Sequence, residues 1–500
     1  MLTYDVIEQI IEALDLEDDL VTLTSYCLLN QEVYKRASMA LYKILDFNVG
    51  EGMGPATPRC GRRAITHANQ ALYSACLPRN RHRVKKIAIS GVSTNPFLGK
   101  YSLNNNTGSF VYARLQADLL ADAFQLFDNI ESIAFNVTSW SGFLNSRQID
   151  PYCLQHTLRL LQCQGLTEKL RELLLNFEVC ETDSVIKPLV HPNLRKLSLI
   201  DIPARDFDWF AITRPCSGLR ELQLRSELYT SFDAGPRLMD SVERALMNLR
   251  NLRTLALGFL YTASDDHTFD VLSQLPQLEN LCLEYRIIPR YRRSDPGFQG
   301  LPITFAPLRA LKSFTLRYKE HDENAVYYRS IDICRWIKHV VSLSPLERLS
   351  YHPFYQPRTL NPKPKESWDL LVDHLADKHA STLRSLDLRA GFVRKRALRR
   401  LLVNCQQLEE LSVATSRGAL DSTFVHCARH VPRLLQARFE LRTQRKDQKE
   451  RNRITQVDEA ERILKAALGL RRLIVNEEEF LGSWTLDEHR NLHYVTEKIE

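Results

Sequence analysis

A short pattern of apolar positions, L-x-x-L-x-L, recurs along this chain and is its most regular feature. The last two apolar positions are separated by one residue, which is the period of a β-strand that buries one face. The first apolar position comes three residues earlier and predicts a side chain that turns inward from the preceding loop. Six copies are nearly ideal: Leu170/Leu173/Leu175, Leu194/Leu197/Leu199, Leu219/Leu222/Leu224, Leu252/Leu255/Leu257, Leu278/Leu281/Leu283 and Leu383/Leu386/Leu388.

Looser copies extend the pattern in both directions. From Leu170 to Leu470 the mean step is 30 residues, but steps of 25 and 37 residues both occur. Repetition at such a period indicates leucine-rich repeats, in which stacked strands form a parallel sheet with the leucines inside. Chance would explain one or two copies, whereas six favour a repeat. The looser copies are Val84/Ile87/Ile89, Ile130/Ile133/Phe135, Leu311/Phe314/Leu316, Leu346/Leu349, Leu408/Leu411/Val413, Leu434/Phe439 and Leu470/Leu473/Val475.

Helical segments alternate with the predicted strands. Between residues 394 and 404, the apolar residues Ala397, Leu398, Leu401 and Leu402 recur at helical spacing. This alternation predicts an α/β fold. We expect an irregular leucine-rich-repeat solenoid over residues 84–490, with loop insertions and a parallel sheet on its concave face.

The first 46 residues differ from the repeats and predict three short helices. The first helix has Asp5 in its first turn and an apolar stripe that runs from Val6 to Leu14. The second begins among the acidic residues 17–19, and the third includes Val33 and Leu41. So small a unit buries too little apolar surface to be firmly stable alone, so we expect it to pack on a partner or on the adjacent repeat.

The same segment carries a resemblance to a known family. Leu2-Thr3-Tyr4-Asp5-Val6-Ile7-Glu8-Gln9-Ile10-Ile11-Glu12-Ala13-Leu14 resembles the opening of an F-box, and Leu28-Leu29-Asn30 with Ala37-Ser38 and Ala40-Leu41-Tyr42 resembles its later part. Together with the repeats, these segments make the chain similar to the F-box and leucine-rich-repeat proteins of fungi. In that family the F-box binds a Skp-type adaptor, which connects it to a cullin and a RING-bound ubiquitin-conjugating enzyme, while the repeats bind the target.

The resemblance implies that this chain is the substrate-recognition subunit of an E3 ubiquitin ligase. Such a receptor is not an enzyme, because holding a target near the conjugating enzyme raises its effective concentration without a nucleophile. The implied partners are a Skp-type adaptor, through it a cullin, and an unknown target protein. The implied adaptor contacts are Leu2, Tyr4, Val6, Ile7, Ile10, Ile11, Leu14, Leu20 and Leu29.

Two positions depart from the F-box pattern and motivate an alternative. Thr3 follows Leu2 where the family usually has proline, and Val33 stands where an aromatic residue is usual. The alternative is a helical cap over the first repeat, since terminal repeats need an atypical covering unit. The chain would then be a leucine-rich-repeat interaction scaffold outside any ligase.

Composition and charge narrow the class of protein. The chain has 500 residues, of which 44% are hydrophobic and 25% charged, so it is not globally disordered. Its net charge of +7 is spread along the chain and does not by itself indicate a nucleic-acid partner. The N-terminus lacks the features of a signal peptide, and no stretch approaches the roughly 18 apolar residues that span a bilayer. We therefore expect a soluble protein of the cytoplasm, the nucleus or both, without a membrane partner.

Candidate catalytic and metal-binding chemistry is sparse. The 11 cysteines include no C-x-x-C pair, and the common phosphate, zinc, acyl-transfer and dinucleotide motifs are absent. Two histidine groups remain, His374 with His379, and His426 with Cys427 and His430. Neither group has a further ligand pattern. We therefore predict no cofactor and no metal, and an enzyme built on these histidines remains a third hypothesis.

The predicted target-binding residues lie between the leucines of the strands or just after them, where side chains point away from the core. Tyrosine and arginine are typical interface anchors, and arginine suits an acidic or phosphorylated peptide. For the residues after Leu283, a solvated loop is the alternative. The predicted contacts are Glu221, Gln223, Arg225, Glu284, Tyr285, Arg286, Tyr291, Arg292, Arg293, Arg317, Tyr318, Asp387 and Arg389.

The sequence therefore predicts four parts. An F-box-like helical head covers residues 1–46, and a connecting segment covers residues 47–83. The repeats cover residues 84–490, and a short tail covers residues 491–500.

Overall fold

The described residues form two compact units, Met1–Leu252 (unit 1) and Arg253–Glu500 (unit 2). The structure is a computed structural model. It describes residues 42–48, 73–93, 126–139, 166–176, 190–200, 209–225, 235–260, 265–287, 303, 305–320, 330–353, 368–442, 457–467, 469–476, 478–486 and 492–499.

Unit 1 contains an open parallel sheet whose strands follow chain order. Its described strands are β1 (Ile44–Asn48), β2 (Lys86–Ser93), β3 (Ser132–Ser139), β4 (Glu172–Asn176), β5 (Lys196–Ile200) and β6 (Glu221–Arg225). The helices described in this unit are α1 (Leu166–Lys169), α2 (Trp209–Thr213) and α3 (Gly235–Met247).

Unit 2 also contains an open sheet in chain order, in which the strands are parallel up to β14 and the last two strands pair antiparallel. Its strands are β7 (Thr254–Leu260), β8 (Asn280–Ile287), β9 (Ser313–Glu320), β10 (Arg348–Pro353), β11 (Ser385–Phe392), β12 (Glu410–Thr415), β13 (Gln436–Leu441), β14 (Arg472–Val475), β15 (Glu478–Leu486) and β16 (Leu492–Ile499). Its α-helices are α4 (Asp265–Ser273), α5 (Ser330–Val341), α6 (Asp369–Lys378), α7 (Lys395–Asn404) and α8 (Val457–Leu464), and a mixed helical segment covers residues 417–430.

The leucines of the repeated pattern form the core of each unit. In unit 1, Leu197 of β5 is in register with Leu173 of β4 and Leu222 of β6. In unit 2, Leu386 of β11 is flanked in the same way by Leu349 and Leu411. All of these side chains are buried, and each contributes about 1.5–3 kcal/mol through burial of apolar surface. The predicted mixed α/β class with a mostly parallel sheet is therefore confirmed.

Side chains in the loops tie successive strand–helix units together. In unit 1, Nδ2 of Asn193 donates to the carbonyl of Glu168 at 2.8 Å, and Nδ2 of Asn251 donates to that of Ser217 at 3.1 Å. In unit 2, the Thr382 hydroxyl donates to the carbonyl of Leu346 at 2.7 Å. These bonds satisfy loop carbonyls that would otherwise lack partners and hold neighbouring loops in register.

The ends of the chain differ from the predicted boundaries. Strand β1 begins at Ile44, which lies inside the predicted head of residues 1–46. The predicted tail of residues 491–500 contains β16, which pairs antiparallel with β15. The reason is packing, since Tyr494 lies 5.0 Å from Trp484 between ring centroids and donates its hydroxyl to the carbonyl of Leu470 at 3.2 Å.

The predicted helical head otherwise lies outside the described residues, which begin at residue 42. Among the residues that the structure does describe, no helix is long and apolar enough to cross a bilayer. The predicted adaptor contacts that lie outside the described residues are Leu2, Tyr4, Val6, Ile7, Ile10, Ile11, Leu14, Leu20 and Leu29.

Candidate functional site on the exposed face of unit 2

Two rows of side chains, polar at every position but the last of the second row, cross strands β10–β14 on the face opposite the leucines. Neighbouring strands pair residue by residue, so side chains in register lie side by side about 4.8 Å apart. The first row is Arg348, Ser385, Glu410, Gln436 and Arg472, and the second row is Ser350, Asp387, Ser412, Arg438 and Ile474.

A shallow depression of about 190 Å³ lies over these rows, and its lining includes Ser350, Asp387, Glu410, Ser412 and Arg438. This volume suits one or two side chains of a partner, not a buried cofactor, since small-molecule pockets usually measure about 300–1,000 Å³. The depression is therefore suited to recognising part of a peptide.

Asp387 and Arg389 form the most closely bonded ion pair of the depression. Nε of Arg389 lies 3.0 Å and 3.1 Å from the two carboxylate oxygens, and Nη2 lies 2.8 Å from Oδ2. These hydrogen bonds raise the pKa of Arg389. Each group therefore largely neutralises the other and is fixed in place, because a fork of this kind holds both side chains in one geometry.

A hydrogen bond from Arg442 crosses β12 beside the pair of Asp387 and Arg389. Arg442, just after β13, donates from Nη2 to the carbonyl oxygen of Arg389 at 2.7 Å and lies 3.6 Å from the carboxylate of Glu440. Burial lowers the pKa of Arg442, and Glu440 partly offsets that effect. The strand between Arg389 and Arg442 carries the small residue Ala414, which is in register with Glu440.

His352 of β10 completes this charged group. Its Nδ1 lies 3.9 Å from Oδ2 of Asp387. Burial lowers the pKa of His352, the positive charges of Arg389 and Arg317 lower it further, and Asp387 opposes the shift. The imidazole is therefore neutral at pH 7 and can act as a hydrogen-bonding group.

Arg438 is a guanidinium of the depression for which the described residues provide no ion pair. Its Nε is buried and lacks a hydrogen-bond partner among the residues that the structure describes. The nearby Glu410 instead accepts a hydrogen bond from the Ser385 hydroxyl at 2.8 Å. Arg438 is half-buried as a whole residue, so a carboxylate of a bound peptide beside Ser412 could pair with the accessible part of its guanidinium.

The structure brings only two of the predicted contacts, Asp387 and Arg389, into this depression. In unit 1, Glu221 pairs with Lys196 at 3.0 Å, and Gln223 accepts a hydrogen bond from the Ser198 hydroxyl at 3.1 Å. Arg225 is the last residue of β6, Arg317 lies within β9, and both are half-buried.

The predicted exposure of Glu284 is wrong, because this side chain is only 2% exposed. The sequence pattern places the end of the strand at Leu283, whereas β8 continues to Ile287. Glu284 therefore lies within the sheet, in register with Arg317 of β9.

The same extension places Tyr285 and Arg286 on β8 instead of in the predicted loop, and Tyr318 lies on β9. The other contacts predicted for that loop, Tyr291, Arg292 and Arg293, lie outside the described residues.

Sequence reasoning missed Arg438, Ser412 and Arg442. The signal was present in the looser copy Leu434/Phe439, whose middle apolar position is Ala437. Ala437 is buried in register with Leu411 and Leu473, so Arg438 occupies the outward position of a regular strand. Accepting alanine in the pattern would have placed Arg438 on the face.

The grouped histidines form no metal site in the described part of the chain. His374 and His379 are both buried, with ring centroids 5.5 Å apart. Cys427 is buried while His430 is exposed, in the mixed helical segment. No group of three or more metal-ligating side chains occurs among the residues described.

Comparison of the chain with models of known protein families and with curated proteins finds no match.

Proposed function

We propose that this chain is the substrate-recognition subunit of a Skp/cullin/F-box-type E3 ubiquitin ligase. Residues 1–46 bind the adaptor, and the strand–helix units are leucine-rich repeats that bind the target. The F-box-like segments between Leu2 and Tyr42 support the first part. The register of buried leucines along both sheets supports the second.

The main support for target binding by unit 2 is that Arg438 has an unpaired hydrogen-bond donor among the residues that the structure describes. It lies among polar side chains on an exposed sheet face, and its buried Nε has no partner among the described residues. Asp387 is ion-paired with Arg389, and Glu410 accepts a hydrogen bond from the Ser385 hydroxyl. The chemistry left over is therefore that of a receptor for an acidic side chain.

The receptor acts by proximity. Its two binding regions are on one chain, so an adaptor-bound conjugating enzyme meets the target at a high effective concentration. No side chain of the receptor has to form or break a covalent bond.

The adaptor half is tested by pulldown of the intact chain with a Skp-type adaptor. We expect binding that is lost when Ile7→Asp and Ile10→Asp are introduced together, because charge on the apolar stripe opposes burial. A matched control combines Leu343→Asp and Leu435→Asp, which add the same two charges at side chains that are 58% and 51% exposed. Failure of the intact chain to bind the adaptor would reject the ligase assignment.

The target half is tested by quantitative mass spectrometry of co-purifying proteins. We expect Arg438→Gln to lose a set of proteins that the intact chain retains. Arg433→Gln removes an exposed arginine from the turn before β13 and should retain them. Identical sets for the two variants would reject the assigned surface.

A non-ligase interaction scaffold is the alternative, favoured by Thr3 and Val33 in place of the usual proline and aromatic residue. It predicts that the intact chain recovers no adaptor and that removal of residues 1–46 causes aggregation, because the first repeat loses its cap.

A further inference from the structure

The residue immediately before each strand occupies a pre-strand position, and from β8 to β12 in unit 2 these positions alternate in charge. From β8 to β12 they are Glu279, Lys312, Glu347, Arg384 and Glu409. Lys312 lies 3.4 Å from Glu279, and Arg384 lies 3.2 Å from Glu409. Side chains at neighbouring pre-strand positions are therefore within ion-pairing distance of each other.

The pre-strand positions of unit 1 do not alternate in this way. They begin with two lysines, Lys43 before β1 and Lys85 before β2. Lys85 before β2 pairs with Glu131 before β3 at 3.1 Å. The next three pre-strand residues are Arg171, Arg195 and Arg220, which we call the arginine row. Like charges on adjacent strands are destabilising, so this row opposes the stability of the fold.

The backbone fixes the arginine row side by side. The amide of Arg195 donates to the carbonyl of Arg171 at 2.7 Å, and the amide of Arg220 donates to that of Arg195 at 2.8 Å. All three side chains are exposed. The backbone therefore keeps the three residues side by side for as long as the strands stay paired.

No carboxylate neutralises the row within the described residues. Nη1 of Arg195 donates to the carbonyl of Gly218 at 2.8 Å, which orients the guanidinium but leaves its charge. Gly218 permits this approach, because a Cβ there would overlap Nη1. Glu131, the nearest acid of the pre-strand row, is paired with Lys85.

A depression of about 490 Å³ lies beside the row and is lined by Arg171, Arg195, Lys169, Glu131 and Glu168, with two asparagines. Among the described residues that line it, there is no aromatic side chain on which a base could stack. Carboxylates along an extended peptide need neither stacking nor a dense field of positive charge. The lining therefore favours a peptide over a nucleic acid.

We propose that the arginine row binds an extended acidic segment of a partner protein. The carboxylates of the segment supply the charge that the pre-strand row of unit 2 obtains from its own glutamates. Each contact is a charge-assisted hydrogen bond to a guanidinium, with a geometry that arginine provides and lysine does not. This surface is separate from the one that binds the target in the proposed function.

The test is fluorescence anisotropy of labelled hexaglutamate with the intact chain. We expect saturable binding by the intact chain. The combined variant Arg171→Gln, Arg195→Gln and Arg220→Gln should bind about tenfold more weakly or worse, because a tenfold loss of affinity corresponds to one lost charge-assisted hydrogen bond. Arg384→Gln is the matched control, because it removes an arginine at the same repeat position that is already paired with Glu409. It should leave the affinity unchanged.

Three further results decide the proposal. The combined arginine-to-lysine variant should bind with intermediate affinity, since it retains charge without the fork, and this variant also tests the row if the glutamine variant is poorly folded. No binding by the intact chain, or an equal loss in the Arg384→Gln control, would overturn it. Tighter binding of a single-stranded oligonucleotide of equal charge would overturn it in favour of nucleic acid. None of these outcomes depends on the adaptor, so the ligase assignment stands or falls separately.

Discussion

The two units share a core pattern and differ in the charges beside it. Leu197 in unit 1 and Leu386 in unit 2 are buried between leucines of the neighbouring strands in the same register. The pre-strand positions alternate in sign from β8 to β12 in unit 2 but are Arg171, Arg195 and Arg220 before β4, β5 and β6 in unit 1. Strand register is therefore set by the leucines, and the pre-strand charges can be arranged either for stability or for binding.

The largest expected effect tests whether the two cores are equivalent. Leu197→Ala and Leu386→Ala should each lower the free energy of unfolding by about 2–5 kcal/mol, because each leaves a cavity between buried leucines. Chemical denaturation gives the free energy of unfolding, and hydrogen exchange read by mass spectrometry assigns the loss to a unit.

A control for the leucine variants lies just before β13. Leu435 is 51% exposed, so Leu435→Ala should change the free energy of unfolding by less than about 0.5 kcal/mol. A large loss for one core variant and a negligible loss for the other would break the comparison, since the shared pattern would then not mean a shared core.

The fold was predictable from the sequence where apolar spacing alone decides it. Leu222 and Leu281 lie on strands at the positions that the pattern assigns. The pattern does not report strand length, so it ends the strand of Leu283 four residues before β8 ends at Ile287. Backbone hydrogen bonds to β9 continue beyond the last leucine, and no periodic apolar residue marks them.

The site was less predictable because it depends on which polar groups pair with one another. Asp387 and Arg389 stand out in the sequence as charged residues on a strand, yet they are bonded to each other. Arg438 is not distinguished in the sequence, and its missing partner becomes evident only from the register of β12 and β13. Spacing reports which face a side chain occupies, but pairing needs the neighbouring strands.

Acid should destabilise unit 2 more than unit 1. The size of this effect should lie between that of the leucine variants and that of the charge variants at the pre-strand positions. Burial lowers the pKa of His374 in unit 2 to about 4, and the charges of His379, Lys338 and Lys378 contribute against the opposing effect of Asp377. Burial also lowers the pKa of His379. Both imidazoles are therefore neutral in the folded protein, whereas in the unfolded chain they take up protons near pH 6.5.

The sign of the effect follows from this difference. The neutral histidines contribute stability that is fully present above about pH 6.5 and decreases as the pH falls. The contribution of His374 is lost by about pH 4, which lowers the free energy of unfolding by at most about 3 kcal/mol. The described histidines of unit 1, His82 and His191, are not buried. Hydrogen exchange between pH 7 and pH 4.5 should therefore show that unit 2 loses more protection than unit 1.

The acid effect has a matched variant. His374→Leu keeps a similar volume without a titrating group, so it should flatten the pH dependence of unit 2. Equal loss of protection in both units, or the same slope in the variant, would mean that the buried histidines do not set the difference.

The smallest expected effect has opposite signs in the two units. Arg195→Glu would turn the arginine row into the alternating order that unit 2 already has, so it should raise the free energy of unfolding by a few tenths of a kcal/mol, up to about 1 kcal/mol. Arg384→Glu would place three acids at consecutive pre-strand positions, Glu347, residue 384 and Glu409, and should lower the free energy of unfolding by a similar amount.

Raising the salt concentration should shrink both changes, because the side chains are exposed and the charges are screened. Thermal unfolding of both variants at low and high salt measures the signs directly. Two changes of the same sign would show that charge order at these positions does not affect the fold, and the arginine row would then carry no stability cost that requires a binding role to explain it.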